Sequence, residues 1–224
     1  VLVFYIVRSN GYTMILQQPK LATTLKNQTL LDVFDEDEDL IESAEIHDSS
    51  LSNQVLERFA VYASRIKDCD FSNSDLGRVD FTDVIFENCD FSNANMDHGS
   101  IHRAIFKNCR LTGTRFNYMR LGNVLFDEVK ADFISVTNSK ITNFKTQKSS
   151  LENAELFSSK LKQVVFDKTN LEHLSVYQTA LKDCDLSQSY FESFVVNQED
   201  LFGCIVSRDQ AVQFATLMGL VVKD

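Results

Sequence analysis

From Ile66 to Val206 every fifth residue is apolar, Thr146 excepted, and the phase does not slip. The run opens Ile66, Phe71, Leu76, Phe81, Phe86, Phe91 and closes Leu186, Phe191, Val196, Leu201, Val206. A helix repeats every 3.6 residues and a strand every two, so neither element accounts for it. A period of five needs an extended piece and a corner. Two residues before each apolar centre stands a small or apolar residue, as at Cys69, Ser74, Val79, Val84 and Cys89. Both positions lie on one face of an extended segment and point inward. The residue between them points out. The two after the centre, commonly Ser, Asn, Thr, Asp or Gly, turn the chain.

A second period overlies the first. The segments V-I-F-E-N-C-D-F from Val84, A-I-F-K-N-C-R-L from Ala104, V-L-F-D-E-V-K-A from Val124 and V-V-F-D-K-T-N-L from Val164 are related by shifts of twenty or forty. Four fives make a coil of four sides, and successive coils stack at strand spacing, about 4.8 Å. About eight coils make a rod about 40 Å long. The patterns S-N-S-D-L, C-D-F-S-N, S-N-A-N-M and E-N-A-E-L resemble the pentapeptide-repeat superfamily, whose fold is a right-handed four-sided β-helix. Ile41, Ile46, Leu51, Leu56 and Val61 keep the same phase, so the resemblance runs over residues 41–206. The expected fold is an all-β solenoid, a right-handed four-sided β-helix of about eight 20-residue coils. Residues 1–40 form an N-terminal extension and cap, 41–206 the β-helix, and 207–224 a C-terminal helix and tail. The period of six found in hexapeptide β-helices is absent.

The ends carry separate signals. Residues 1–13 read as an upstream extension before a start at Met14, the alternative being a native N-terminal strand or tail. V-L-V-F-Y-I-V is too short to span a membrane and lacks the basic lead of a secretory signal. With 44% hydrophobic residues, seven Gly and one Pro, the chain reads as one ordered domain. Five Cys without a signal sequence predict a reducing, cytoplasmic compartment. T-L-L-D-V-F-D followed by acidic residues 35–39 reads as a helical turn and a solvated cap over the open edge of the first coil. The sharper reading is a docking tail for a basic partner. Ser207 and Gln210 form a capping box, and Gly219 suits a helix stop. Between them Ala211, Val212, Phe214, Ala215, Leu217 and Met218 present an apolar face, to be covered by the last coil or by a second copy. Family resemblance implies a homodimer through Val212, Phe214, Ala215, Leu217 and Met218.

One stretch departs from the pattern. Around residues 129–148, Ala131 is small for a centre, Phe133 is bulky for a corner, and Phe144 and Thr146 have exchanged large and small positions. The exchange predicts either a repacking that conserves volume or a bend that shapes a surface.

Motifs for catalysis are missing: there is no G-x-x-x-x-G-K, G-x-G-x-x-G, C-x-x-C or H-E-x-x-H. No enzyme, cofactor or metal is expected. His98 and His102 would sit on neighbouring sides of a coil and read as solvated. Cys69, Cys89 and Cys109, and likewise Cys184 and Cys204, recur at twenty and stack as inward ladders. Adjacent members come within reach of disulfide geometry, but the small-residue slot favours buried free thiols. Inward side chains fill the coil, so the outer surface must carry the function.

The net charge of −10 is unevenly spread. Residues 41–100 carry a net −8 and residues 101–165 a net +6. Superfamily members include proteins that mimic duplex DNA and occupy type II topoisomerases. The corresponding candidate surface here is Asp70, Asp75, Asp80, Asp90 and Asp97. A mimic needs a continuous negative field, and only the N-terminal half supplies one. The projecting loops of some quinolone-resistance members are absent too. A second candidate is the outward apolar stripe Ile85, Ile105, Leu125 and Val165. It reads as a ladder of same-face neighbours or as a contact strip for a protein. The functional expectation is a bacterial-type interaction scaffold with an unidentified protein partner. The alternative is a DNA-mimicking modulator of DNA gyrase or topoisomerase IV. Membrane and direct nucleic-acid partners are not expected.

Overall fold

The computed structural model describes residues 4–9, 12–34 and 39–223. The acidic residues 35–38 of the expected cap or docking tail lie outside the described residues. Asp80–Glu87, Ser100–Lys107, Arg120–Asp127, Lys140–Gln147 and Lys160–Asn170 pair in parallel, residue against residue twenty positions apart. Ser135–Thr137, Glu155–Phe157, Leu174–Tyr177 and Phe194–Val196 form a second ladder on another side. Isolated bridges such as Asp70 to Asp90 and Asp75 to Asn95 continue the stacking elsewhere. The chain is therefore a four-sided β-solenoid of about eight turns.

Corners follow the period of five. Every fifth residue from Ser43 to Asp183 has a φ between 49° and 71°. Asn recurs at these positions because it tolerates the left-handed region that most side chains avoid. Phe133 adopts the same corner, with φ at 59° and its ring in solvent. The ladder keeps its offset of twenty through residues 120–167, so the irregular stretch is a repacking without a bend. Phe144 fills the space that Thr146, in register with Phe126, leaves in the core, the rings of Phe126 and Phe144 lying 5.0 Å apart. Thr146 stays buried because its hydroxyl bonds to that of Thr169 at 2.7 Å.

Inside, the centres form an aromatic column. Phe71 and Phe91 stack at 4.5 Å, Phe86 and Phe106 at 4.8 Å, both close to the rise of one coil. Beyond Phe126 the centres are mostly aliphatic. An apolar void of about 30 Å³ opens there, bordered by Phe126, Phe144, Leu156 and Phe166. Hydroxyls in the small slot accept from the amides of the slot residues one coil earlier. Ser139 accepts from the N–H of Met119 at 2.9 Å and donates to the carbonyl of Phe116 at 2.8 Å. The five cysteines are free thiols, and all but Cys204 are buried. Burial pushes the Cys204 thiol up to about 12, and Cys184 rises for the same reason.

Both ends depart from simple stacking. The strands β1 (Phe4–Ser9) and β2 (Tyr12–Gln17) form an antiparallel hairpin, so the expected extension is strand-forming. After it, β3 (Lys26–Gln28) pairs in parallel with Ala44–His47, and Leu30 and Val33 join the core. The hydrogen-bonded ladder thus begins before residue 41. Near the other end Asp167 faces Gln188 while Asn170 faces Tyr190, a bulge in the register. The helix α1 (Arg208–Leu217) closes the stack, with the capping box between Ser207 and Gln210 formed. Gln210 is buried, and its amide donates to the carbonyls of Leu186 and Ser189, both at 2.8 Å. It serves two carbonyls of the bulged strand as well as the helix N-terminus. No helix among the described residues is long and apolar enough to cross a membrane.

Candidate interaction surface

Register of twenty turns every outward position into a column. Ser50, Asp70, Asp90, Arg110, Lys130 and Ser150 stack on one side, and Val55, Asp75, Asn95, Arg115 and Ser135 on the next. Asp80, Ser100, Arg120, Lys140 and Lys160 form the third. Arg65, Ile85, Ile105, Leu125, Lys145 and Val165 form the fourth. On the first three the sign changes from acidic to basic along the rod, between neighbouring coils on the first and across one neutral coil, Asn95 or Ser100, on the second and third.

The five candidate acidic residues have different surroundings. In Asp70 and Asp90 one carboxylate oxygen accepts the N–H two residues on, at 2.8 Å each, and Asp75 does the same at 3.2 Å. These are turn-forming contacts that leave the second oxygen outward. Asp80 accepts from the Tyr62 hydroxyl at 3.0 Å. Asp97 is ion-paired with Arg115 at 3.4 Å and accepts the Asn117 N–H at 2.9 Å. Among the described residues only Asp97 of these five is ion-paired, so Asp70, Asp75, Asp80 and Asp90 keep their charge without a cationic partner.

Ion pairs stitch the acidic coils to the basic ones. Lys107 reaches Glu87 at 3.6 Å, and Arg103 holds Asp83 through two bonds of 2.6 Å. The second pair is largely enclosed, and Asp83 also accepts the backbone N–H of Lys20 at 2.8 Å. Burial pushes the Asp83 carboxyl up, but the Arg103 guanidinium and the Lys20 N–H outweigh it and hold it below the ordinary carboxylate value. The stability this gives is fully present above the unfolded carboxylate pKa of about 4. It is lost as pH falls through the depressed folded value. Asp83→Asn should lower the urea midpoint at pH 7, and the gap from the native chain should close progressively below about pH 4. A gap independent of pH would mean that the carboxylate charge is irrelevant there.

The fourth side is not a free apolar stripe. Leu125 is 2% exposed although it points away from the core, and Lys145 beside it is 9% exposed. Strand β2 lies over Arg120–Asp127 and Lys140–Gln147 and buries Met14 and Leu16 there. These residues stand apart from the main core cluster. Gln17 donates its N–H to the Asn123 side chain at 3.2 Å, and the chain then descends to Lys20 against Asp83. Ile85, Ile105 and Val165 remain half-buried. Lys145 keeps its charge compensated by Asp167 at 2.9 Å. Sequence reasoning missed this cover because Met14 and Leu16 precede the repeat, and Ile15 between them is apolar too, so the segment carries no period-two pattern.

His102, expected to be solvated, is half-buried instead. Burial and then the adjacent Arg103 push its pKa down. A Cβ at Gly122 would meet its Nδ1 at 2.8 Å, so the ring occupies space that only glycine leaves open. His98 is exposed and stacks on Tyr118 at 4.7 Å.

At the C-terminal end Phe214 packs on Phe191 and Phe194 at 5.3 and 5.5 Å. Ala215 is half-buried, while Val212, Leu217 and Met218 are exposed, as are Leu220, Val221 and Val222 after the helix. The helix therefore covers the last coil with Phe214 and the buried Gln210 and leaves Val212, Leu217 and Met218 of its apolar face outward.

Residues 79–156 match the family model described as pentapeptide repeat region, and residues 149–188 match that of pentapeptide repeats (8 copies). No curated protein sequence matches the chain significantly. Among solved structures, trypsin-treated QnrB1, a plasmid-mediated fluoroquinolone resistance protein, superposes with a TM-score of 0.58 at 16% identity, over 82% of this chain and 90% of that one. HetL, a pentapeptide repeat protein involved in heterocyst differentiation regulation from the cyanobacterium Nostoc sp. strain PCC 7120, gives 0.52 at 15% identity, over 79% and 91%. At these identities the likeness is one of fold.

Proposed function

Because the chain is a pentapeptide-repeat protein, we propose that it is a non-enzymatic scaffold whose straight outer columns dock a protein partner. One observation carries this reading. The interior is filled by stacked rings and aliphatic side chains, and its void of about 30 Å³ is far below the roughly 300 Å³ of a ligand pocket. Recognition therefore falls to the outward columns, whose spacing is set by the backbone ladder and whose chemistry varies freely. The exposed residues Val212, Leu217 and Met218 of α1, with Leu220 and Val221 beyond it, form a self-complementary end that a second copy covers.

A second reading has support from the in-register carboxylates of Asp70 and Asp90, with Asp75 on the adjoining side, and from the fold shared with QnrB1. In it the acidic coils present a short mimic of duplex DNA to DNA gyrase or topoisomerase IV. The reversal of sign at Arg110 and Arg115 limits that field to the early coils. Purified full chain, sized by light scattering, should be a dimer. It should retain a protein from nuclease-treated bacterial extract, with that protein lost from a variant carrying reversed charges on one side. Binding to gyrase that linear duplex displaces, with altered supercoiling, would move the second reading to first place. A monomer that retains nothing overturns the scaffold.

A further inference from the structure

Most cations of the middle coils are compensated. Arg103, Lys107, Arg115, Lys130, Lys145 and Lys148 each stand within 4 Å of a carboxylate. Among the described residues Arg110, Arg120, Lys140, Lys160 and Lys162 of these coils have no such partner. All but Arg110 lie on one side. Arg120 is directly opposite Lys140 and Lys140 directly opposite Lys160 in the parallel ladder. All three are exposed, as is Lys162 on the same strand as Lys160. Three like charges thus stack at about 4.8 Å, inside a single Debye length of about 8–10 Å. Directly opposed like charges weaken a ladder, so the column is a local cost that the fold does not relieve.

We propose that the Arg120–Lys140–Lys160 column, with Lys162, is a docking strip for a short acidic segment of a protein partner. This rests on the scaffold reading and gives the partner its chemistry. Three observations favour an acidic peptide over nucleic acid. The strip is only about 10 Å long, two coil rises, whereas nucleic-acid binding of useful strength draws on about 6–10 phosphate contacts. The other cation of these coils without a carboxylate partner among the described residues, Arg110, lies two sides away on the opposite face and cannot meet the same ligand. Along its own side the strip gives way to Asp80, and around the rod to Glu155 on one flank and the β2 cover on the other. Tyr118, exposed at the adjoining corner and stacked on His98, supplies an aromatic edge beside Arg120. Aromatic and Arg residues are the side chains most enriched in protein interfaces.

The test uses full-length protein and a fluorescent deca-glutamate peptide at low salt. The double variant Lys140→Gln/Lys160→Gln should lose at least ten-fold in affinity and show a shallower salt dependence. The opposite-face pair Arg110→Gln/Lys130→Gln should stay within two-fold of the native chain. Relief of repulsion should leave the melting temperature of Lys140→Gln/Lys160→Gln unchanged or raised. Equal losses in both pairs, no binding, or a lowered melting temperature would overturn the proposal. So would tighter binding of a ten-nucleotide single strand than of the peptide. If the deca-glutamate result fails while a protein is still retained from extract, the scaffold stands and only this assignment of its strip falls.

Discussion

Truncating Phe86 to Ala is expected to destabilise the solenoid by about 3–5 kcal/mol. Phe86 is fully buried, stacks on Phe106 at 4.8 Å, and meets Phe71, Phe81 and Phe91 at 6.2, 5.1 and 5.1 Å. The backbone ladder above and below holds successive coils at fixed spacing, so neighbouring rings cannot collapse into the space left behind. Repeat proteins need not unfold in one step. The measurement is therefore urea unfolding followed by hydrogen exchange at the central strands. Leu156→Ala provides the contrast, since Leu156 already borders the void of about 30 Å³. Its loss should cost about 2 kcal/mol, the low end of the range for such truncations. A larger loss at Leu156 than at Phe86 would show that the aromatic column is not the tightest part of the core.

Leu125→Lys is expected to release the N-terminal hairpin while the coils stay folded. Leu125 is buried beneath β2 and faces Lys145 directly across the ladder. Lys145 has one carboxylate partner, Asp167. A second cation there is buried without compensation, at a cost of several kcal/mol, and undocking β2 returns it to water. Cleavage within residues 18–25 by a protease of low specificity should accelerate at least ten-fold, each factor of ten corresponding to about 1.4 kcal/mol. Leu125→Met should leave the rate unchanged, because it keeps an apolar side chain of similar volume. Cooperative loss of the whole fold, without early cleavage, would instead mean that hairpin and solenoid form one unit.

This cover changes how the fourth side is read. Half-buried Ile85, Ile105 and Val165 flank a position that the chain already occupies with its own Met14 and Leu16. An external partner on that side meets the margins of β2 as well as the coil.

Much of the molecule was legible in the order of its residues, and particular positions show why. Phe71, Phe86 and Phe106 belong inside because centre and centre minus two share the inner face of each side. Arg120, Lys140 and Lys160 belong together because twenty residues complete one coil. Both deductions need only a repeating local conformation, and the left-handed corner at every fifth residue supplies it. The exchange of Phe144 and Thr146 was legible as an anomaly; its resolution through Thr169, 23 residues away, was visible only in the packing. Asp97 was readable as outward but not as neutralised, since its pairing with Arg115 depends on a diagonal side-chain reach between neighbouring coils of one side. The placement of β2 was beyond the sequence altogether. Gln17 meets Asn123 across 106 residues, and no period relates a segment outside the repeat to one inside it. Local periodicity determined the coil, its inner and outer faces and its columns of charge. Tertiary structure decided which outward residues remain in water, because burial from outside depends on a distant segment finding an apolar surface it can cover.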